Sequence, residues 1–172
     1  MIRKANINDI DAINNIYKDA KRLLKRSKST QWQNANGYPN EIDINEDILK
    51  EELYVKEINN IIVGTITISF RGEPSYNKIY FGSWLNDESY AVVHRLAVKA
   101  EYYGLGIAKE LMNFSEELTR SVGIYNIRID TTKINIPMQR LIKSLDYKET
   151  GIIYLDETKS KDVERVAFQK MI

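Results

Sequence analysis

Residues 94–112 read HRLAVKAEYYGLGIAKELM, and the order of residue types in this stretch decides the fold that we predict. The stretch begins as an apolar strand, turns through Gly104 and Gly106, and continues into a helix marked by apolar side chains at helical spacing. Backbone N–H groups at a helix start lack intrahelical partners and attract anions, while glycine lets a ligand approach the backbone closely. The stretch therefore predicts a phosphate-binding turn between a strand and a helix.

The rest of the chain predicts an α/β fold, α+β-like in its element order, with a mixed, mostly antiparallel sheet flanked by about four helices. No repeat, low-complexity segment or linker interrupts residues 1–172, so we predict a single domain. Helices are expected from a cap at Asn8, over 44–52 and 106–121, and from a cap at Asn135. Strands are expected at 2–5, 53–58, 61–69, 79–84, 90–98, 125–131, 147–155 and 165–172.

The composition excludes several classes of protein. The 172-residue chain has no cysteine, which excludes disulfides, zinc–thiolate sites and a cysteine nucleophile. No signal peptide and no run of membrane-spanning length is visible, so a cytoplasmic protein with no membrane partner is expected. The net charge of +1 gives no global field for nucleic acid, so we expect no nucleic-acid partner. A basic cluster is interpreted as the solvated end of the first helix; it comprises Lys21, Arg22, Lys25, Arg26 and Lys28.

Two phosphate motifs that such a turn suggests do not fit this sequence. The hexapeptide GLGIAK has Lys109 where the dinucleotide fingerprint GxGxxG needs its third glycine. The P-loop pattern GxxxxGK followed by Ser or Thr is absent from the chain. The turn therefore belongs to another class of phosphate site.

The glycine turn resembles the acetyl-CoA motif of the GCN5-related N-acetyltransferases (GNAT family), which reads LAV, then R/Q-x-x-G-x-G/A. The segment NIPMQRLIKSLDY at 135–147 is similar to a second motif of this family, N-x-x-A-x-x-L-Y-x-K-x-G-F. The order of predicted elements is similar over nearly the whole chain. In this sequence the first motif corresponds to Leu96, Ala97 and Val98, followed by Tyr103, Gly104, Leu105, Gly106, Ile107 and Ala108.

The resemblance implies an acetyl-CoA-dependent N-acetyltransferase that needs no metal. Acetyl would pass to the primary amine of a small molecule or peptide by direct attack of the amine on the thioester. The resemblance further implies that backbone N–H groups of 103–108 hold the CoA pyrophosphate and that the strand edge at 96–98 pairs with the pantetheine arm. It includes Asn135, which opens the second motif, in the cofactor site.

Two departures from the family motifs leave an alternative open. Tyr103 stands where the family has Arg or Gln, and Ile142 stands where it often has a tyrosine that protonates the leaving thiolate. The alternative function is therefore an acyl-CoA-binding module with little or no catalytic activity. Nucleic-acid binding through the basic cluster is a third reading, which the net charge does not support.

His94 is the candidate catalytic residue. An amine with a pKa of about 10.4 must lose a proton before it attacks, and an imidazole ordinarily titrates in the useful range. Strand alternation puts the sole histidine on the face of Leu96, and the resemblance implies a base or water-holding residue on this strand. A structural, hydrogen-bonded histidine is the alternative. Arg95 should point the opposite way and serve as a structural partner.

Four aromatic residues are candidates for the acceptor pocket. Trp32 and Tyr38 lie in the polar loop 27–40, where they either anchor the loop or contact a ligand. The resemblance implies that this loop covers the acceptor site. Trp84 and Tyr90, which precede His94 along the chain, are expected to wall the same pocket. The two final strands are expected to be exposed and could pair two copies, so a homodimer is one option.

Overall fold

The computed structural model describes residues 1–159 and 162–172. Within these residues the chain forms four α-helices, which are α1 (Ile10–Arg26), α2 (Glu41–Leu49), α3 (Ile107–Ser121) and α4 (Ile136–Ser144). The strands of the same residues are β1 (Ile2–Lys4), β2 (Leu53–Ile58), β3 (Ile61–Ser69), β4 (Ala91–Val98), β5 (Asn126–Thr131), β6 (Lys148–Tyr154) and β7 (Glu164–Met171).

The seven strands form one hydrogen-bonded sheet in the order β1-β2-β3-β4-β5-β7-β6. The pairs β1–β2, β2–β3, β5–β7 and β6–β7 are antiparallel, whereas β4 and β5 pair in parallel at Ala91 and Val92. The mixed, mostly antiparallel sheet and the helix count predicted from the sequence are therefore confirmed.

The chain falls into two compact units. Unit 1 contains residues 1–68 and 93–115, and unit 2 contains residues 69–92 and 116–172. The expectation that residues 1–172 form a single domain stays a prediction.

Unit 1 is built around the apolar face of α1. The face packs against α2, β2 and β4 because its apolar side chains recur every three to four residues. The hairpin between β2 and β3 turns at Asn59 and Asn60, whose φ angles are 49° and 63°, as the sequence predicts. The core cluster comprises Ile13, Ile16, Tyr17, Ile44, Leu53, Val55 and Ala97.

Unit 2 has a smaller apolar cluster and a buried amide network. The amide of Gln169 accepts a hydrogen bond from Leu85 N at 2.9 Å and donates to Asn126 Oδ1 at 3.1 Å. Asn86 Nδ2 also donates to Asn126 Oδ1 at 2.8 Å. The network fastens the loop before β4 onto β5 and β7. The apolar cluster comprises Tyr76, Val92, Ile153 and Ala167.

Two predicted features of the chain are wrong. The first cap is Asn6 instead of Asn8: its side chain accepts from Asn8 N at 2.9 Å, and Asp9 accepts from Asn6 N at 2.8 Å. This capping box opens a 3₁₀ turn that runs into α1, a step that helical periodicity does not reveal. The strand expected at 79–84 is a single bridge from Tyr80 to Ile152. The preceding residues Pro74–Asn77 form a 3₁₀ turn instead.

The sheet order changes the basis of the dimer prediction. β7 lies inside the sheet, between β5 and β6, so it offers no free edge. β6 is the end strand, but Tyr80 N and O hydrogen-bond to Ile152 O and N, each at 2.8 Å. The expectation that both final strands are exposed is therefore wrong for β7, and part of the β6 edge is already paired within the chain.

Candidate functional site

The glycine turn of unit 1 leads directly into α3. Gly104 and Gly106 have φ angles of 77° and 83°, a region that residues with a Cβ rarely adopt. Apart from the adjoining residues, no atom of the described chain lies within 4 Å of the position that a Cβ would take on either glycine. The N–H groups of the first turn of α3 have no intrahelical acceptor by the geometry of a helix. The turn therefore presents backbone donors and open space, which suit an anion.

Gly64 of β3 sets the position of this helix. A Cβ on Gly64 would lie 2.8 Å from Ile107 Cγ2 and 2.9 Å from Leu111 Cδ1, so the start of α3 packs directly on the strand backbone. Ile107 and Leu111 are buried. The side chain of Ile107 thus anchors the turn, and the backbone of this residue is the part that can meet a ligand.

Along the strand residues before the turn, buried and more exposed side chains alternate only in part. Ala97 is buried in the unit 1 core, and His94, Leu96 and Val98 are half-buried. Arg95, between His94 and Leu96, has a φ of 50°, which departs from extended backbone. Strict alternation therefore does not hold at this point, so the shared face of His94 and Leu96 is not fixed by it.

Arg95 binds Asp47 of α2 through two hydrogen bonds. Its Nε donates to Asp47 Oδ2 at 2.9 Å, and its Nη2 donates to Oδ1 at 2.7 Å. Thr67 Oγ1 of β3 also donates to Asp47, at 2.9 Å. Burial opposes the charge on Arg95, but the hydrogen bonds to Asp47, together with the electrostatic effects of Asp47, Tyr38 and Tyr17, outweigh it and raise the Arg95 pKa. The structural partner role predicted for Arg95 is confirmed.

The loop 27–40 is held against unit 1 at several points. Trp32 meets Tyr17 edge to face with ring centres 5.6 Å apart, and Tyr38 Oη accepts a hydrogen bond from Arg95 Nη1 at 2.7 Å. Lys21 Nζ donates to Gly37 O at 2.6 Å and to Pro39 O at 2.7 Å. Burial raises the pKa of Tyr38, and the charge on Arg95 acts against that rise. Both aromatic residues anchor the loop, and Lys21 has a role beyond a solvated helix end.

Trp84 and Tyr90 of unit 2 enclose an arginine. The Arg128 guanidinium lies 4.2 Å from the Trp84 ring centre and 3.9 Å from that of Tyr90. Its Nη2 donates to Asn86 O at 2.7 Å, and Trp84 Nε1 donates to Tyr76 O at 2.9 Å. Burial lowers the pKa of Arg128. One face of each ring is therefore occupied by a side chain of this same unit.

The second motif supplies a helix cap and two buried side chains in unit 2. The Asn135 side chain accepts from Met138 N at 3.3 Å and so caps α4, with Pro137 in the first turn as predicted. Ile142 is 0% exposed, and Tyr147 is 3% exposed. Tyr147 stands where the resembled motif ends in phenylalanine, and here too the ring is buried.

The structure distributes the predicted site residues over both units. The sequence did not predict Asp47, which holds Arg95, or Arg128, which lies between Trp84 and Tyr90. Asp47 lies three residues after Ile44 on the buried side of α2, a spacing that could have identified it. Arg128 alternates with buried isoleucines of β5 and so reads as solvent-facing. Unit 1 holds His94, Trp32, Tyr38 and residues 96–98 and 103–108, whereas unit 2 holds Trp84, Tyr90 and Asn135.

Two other kinds of site are absent from the described parts of the chain. Between residues 1 and 159 and between 162 and 172, no helix has the length and apolar character needed to cross a bilayer. Among those residues, no group of three His, Asp or Glu side chains is arranged to hold a metal ion.

Comparison with known proteins gives consistent matches. The sequence profile of the acetyltransferase (GNAT) family matches residues 11–147. No curated protein matches the chain significantly. A GNAT-family acetyltransferase structure from Streptococcus agalactiae 2603 is 31% identical, with a TM-score of 0.89 over 100% of this chain and 95% of that one.

Two more distant structures share the fold. A GNAT-family acetyltransferase from Listeria monocytogenes 4b F2365 is 21% identical, with a TM-score of 0.75 over 100% of this chain and 94% of that one. The PaiA N-acetyltransferase from Thermoplasma acidophilum, solved in complex with coenzyme A, is 14% identical. Its TM-score is 0.73 over 100% of this chain and 98% of that one.

Proposed function

Because the chain belongs to the GNAT family of acetyltransferases, we propose that it is an acetyl-CoA-dependent N-acetyltransferase acting on the primary amine of a small molecule or peptide. The observation that carries this proposal is the open glycine turn at the start of α3, directly after the strand residues 96–98. A cytoplasmic location belongs to the same proposal, as does the absence of metal, membrane and nucleic-acid partners. A homodimer remains an option within it.

The proposed cofactor site uses mainly backbone groups. The N–H groups of 103–108 would hold the pyrophosphate of CoA, and the edge of 96–98 would pair with the pantetheine arm. Two of these groups, Tyr103 N and Leu105 N, also donate within the turn, to Ala100 O at 3.2 Å and to Tyr102 O at 3.4 Å. Both glycines leave space for such a ligand. Tyr103 replaces a side-chain donor without removing the backbone donors, and Asn135 would contribute from the start of α4.

The proposed chemistry is direct transfer. Acetyl-CoA supplies an acetyl group activated as a thioester. The neutral amine nitrogen attacks the carbonyl carbon, the C–S bond breaks, and the thiolate leaves. His94 would take the proton of the amine, directly or through water. Buried Ile142 supplies no acid for the thiolate, whose conjugate thiol has a pKa of about 8.5 if cysteine is a guide, so departure without one is feasible.

The acceptor side of the proposed site comprises four aromatic residues. Trp32 and Tyr38 would cover the acceptor, and their fixed positions on Tyr17 and Arg95 would give it a rigid wall. Trp84 and Tyr90 would contribute through the ring faces that Arg128 does not occupy. Such a wall suits an amine that carries an apolar part.

The alternative function is an acyl-CoA-binding module with little or no catalysis, which the buried isoleucine at position 142 favours. Calorimetry with acetyl-CoA and a thiol-release assay over amino acids, polyamines, aminoglycosides and peptide N-termini separate the two functions. We expect binding together with amine-dependent release of CoA. Binding without release above hydrolysis would favour the module, and no binding would overturn both.

A further inference from the structure

The hydrogen bond between Arg95 and Tyr38 has a fixed direction. A guanidinium carries only donors, so the Tyr38 oxygen is the acceptor of the 2.7 Å bond from Arg95 Nη1. A phenol also carries one hydrogen of its own. Among the residues that the structure describes, none accepts a hydrogen bond from this hydroxyl. Tyr38 is therefore held as a hydrogen-bond donor that lacks a partner.

Asp47 fixes the arginine that imposes this direction. Its carboxylate holds Arg95 with two hydrogen bonds, and its side chain is only 2% exposed. Because the pair is nearly buried, the guanidinium has little freedom to turn its Nη1 away from Tyr38. The positive charge on Arg95 is also compensated, so the phenol is not driven to ionise.

Two further hydroxyls of unit 1 are buried with unused hydrogen-bonding capacity. Tyr17 Oη and Thr65 Oγ1 are neighbours that can share at most one hydrogen bond, and no other described residue pairs with either hydroxyl. Tyr17 lies under Trp32, and Arg95, Asp47 and Tyr38 all contribute to its electrostatic environment. Buried polar atoms without partners are costly, and a polar ligand or water that enters beside them removes that cost.

We propose that Asp47 and Arg95 are positioning residues that present the Tyr38 hydroxyl to a carbonyl or carboxylate oxygen of the acceptor molecule. The acceptors would then be amines that carry such an oxygen, as amino acids, their amides and peptide amino termini do. Polyamines and simple alkylamines lack it. This inference rests on the proposed N-acetyltransferase function and narrows its substrate class.

Matched amine pairs test the inference, since each pair differs by a carboxamide alone. Suitable pairs are alaninamide with ethylamine, phenylalaninamide with phenethylamine, and lysinamide with cadaverine. We expect the wild-type enzyme to have the lower KM for the amide of any pair it acetylates. Tyr38→Phe should raise that KM about three- to tenfold and leave the KM of the plain amine and of acetyl-CoA unchanged.

The positioning role has its own readout. Asp47→Asn should cause the same loss of preference as Tyr38→Phe, and the double variant should lose no more than either single one. Tyr54→Phe is the matched control, since it removes a hydroxyl of unit 1 from a ring that packs on Phe114, and it should change nothing. Should Asp47→Asn fail to fold because Arg95 is left buried and unpaired, Tyr38→Phe carries the test alone.

A measurement without turnover completes the test. In protein labelled with ¹³Cζ-tyrosine, the Tyr38 resonance is assigned by its loss in Tyr38→Phe and titrated with pH. Asp47→Asn should lower the Tyr38 pKa, because the charge on Arg95 is no longer compensated. A Tyr38 pKa that does not change in Asp47→Asn would overturn the proposal that Asp47 and Arg95 position Tyr38. Acetylation of both members of a pair with equal KM would overturn the substrate inference alone, whereas absence of acetyl-CoA binding and thiol release would overturn the proposed function with it.

Discussion

Two cationic side chains of unit 2, half-buried Lys170 and buried Arg128, are stabilised in different ways. Lys170 Nζ donates to both oxygens of Glu116, at 2.8 Å and 2.9 Å, and so is compensated by a carboxylate. Arg128 is 4% exposed, and in the described part of the chain it has stacked rings and one carbonyl in place of a carboxylate. Its Nε has no hydrogen-bond partner there. A stacked guanidinium keeps its charge more easily than an ammonium because it is weakly hydrated, which explains why an arginine occupies this position.

Arg3 should make the stability of unit 1 depend on pH. Its guanidinium donates to Asp9 at 2.7 and 3.0 Å and to Glu57 at 2.9 and 3.1 Å, and so ties β1 to the start of α1 and to β2. The hydrogen bond from Arg3 lowers the Asp9 pKa below 3.8. A carboxyl with a lowered pKa stabilises the fold above its unfolded pKa, and that contribution is lost as the pH falls through the folded pKa.

We therefore expect Arg3→Gln to lower the free energy of unfolding at pH 7 by about 1 kcal/mol. The difference from wild type should shrink as the pH is lowered from about 4 towards 2, because Asp9 then becomes protonated in both proteins. Urea unfolding at several pH values measures it. Lys50→Gln, which breaks an exposed pair with Glu46, is the control and should have little effect at any pH. A difference independent of pH would contradict the role of Asp9.

His94 should control the pH dependence of turnover under the proposed mechanism. A general base contributes roughly a hundredfold or more, so His94→Ala should reduce kcat/KM by about that factor. The rise in wild-type activity between about pH 6 and 8 should become flat in the variant. Acetyl-CoA affinity, measured by calorimetry, should not change. A reduced rate with an unaltered pH profile would assign the proton transfer to ordered water instead.

At the scale of elements, short-range signals predicted the structure well. Asn59 and Asn60 form the expected hairpin turn, and Asn135 caps α4. Both outcomes depend on a few neighbouring residues. The strand expected at 79–84 failed because its fate depends on a distant element: Tyr80 meets β6, and a Cβ on Gly82 would lie 2.0 Å from Thr150 O. That close approach leaves Gly82 no room for a side chain.

The role proposed for the glycine turn before α3 can be tested by substituting Gly104. Gly104→Ala adds a Cβ that meets no described atom within 4 Å beyond its chain neighbours, so its direct cost is a left-handed backbone, about 1 to 2 kcal/mol. A Cβ there also keeps a ligand away from the backbone donors. We expect acetyl-CoA affinity to fall at least about tenfold, as measured by calorimetry.

Gly123→Ala is the matched control for this substitution. Gly123 has a φ of 77°, equal to that of Gly104, and within the described residues only its chain neighbours lie within 4 Å of its Cβ position. Its alanine variant should lose similar stability and bind acetyl-CoA as tightly as wild type. Equal loss of affinity in both variants would mean that general destabilisation, and not the turn, weakens binding.

At the scale of the whole molecule, the fold class was predictable and the side-chain network was not. The sheet type follows from the order of apolar segments and turn residues, which the sequence displays directly. Arg95 meets Asp47 and Tyr38 across 48 and 57 residues of sequence, and no local pattern indicates either contact. The cofactor residues could be proposed as a group because they form a contiguous motif, whereas the residues proposed for the acceptor are spread over separate loops.

Cofactor binding should stabilise the folded chain if the proposed function is right. A ligand that binds only the folded state at about 100 times its Kd adds about 2.7 kcal/mol to the free energy of unfolding. For a chain of this length, that gain corresponds to a rise of about 5 to 10 °C in Tm. Thermal melting with and without acetyl-CoA measures the shift, and Gly104→Ala at the same ligand concentration should show a smaller one.

Hydrogen exchange locates the origin of that shift. Acetyl-CoA should slow exchange at 96–98, where the pantetheine arm would pair with the strand edge, and at 103–108, where backbone amides would hold the pyrophosphate. Amides within β2 are the internal reference, because both neighbouring strands already pair with it. A rise in Tm with protection confined to other segments would mean that the ligand binds elsewhere, and the motif of residues 94–112 would then have to be assigned another role.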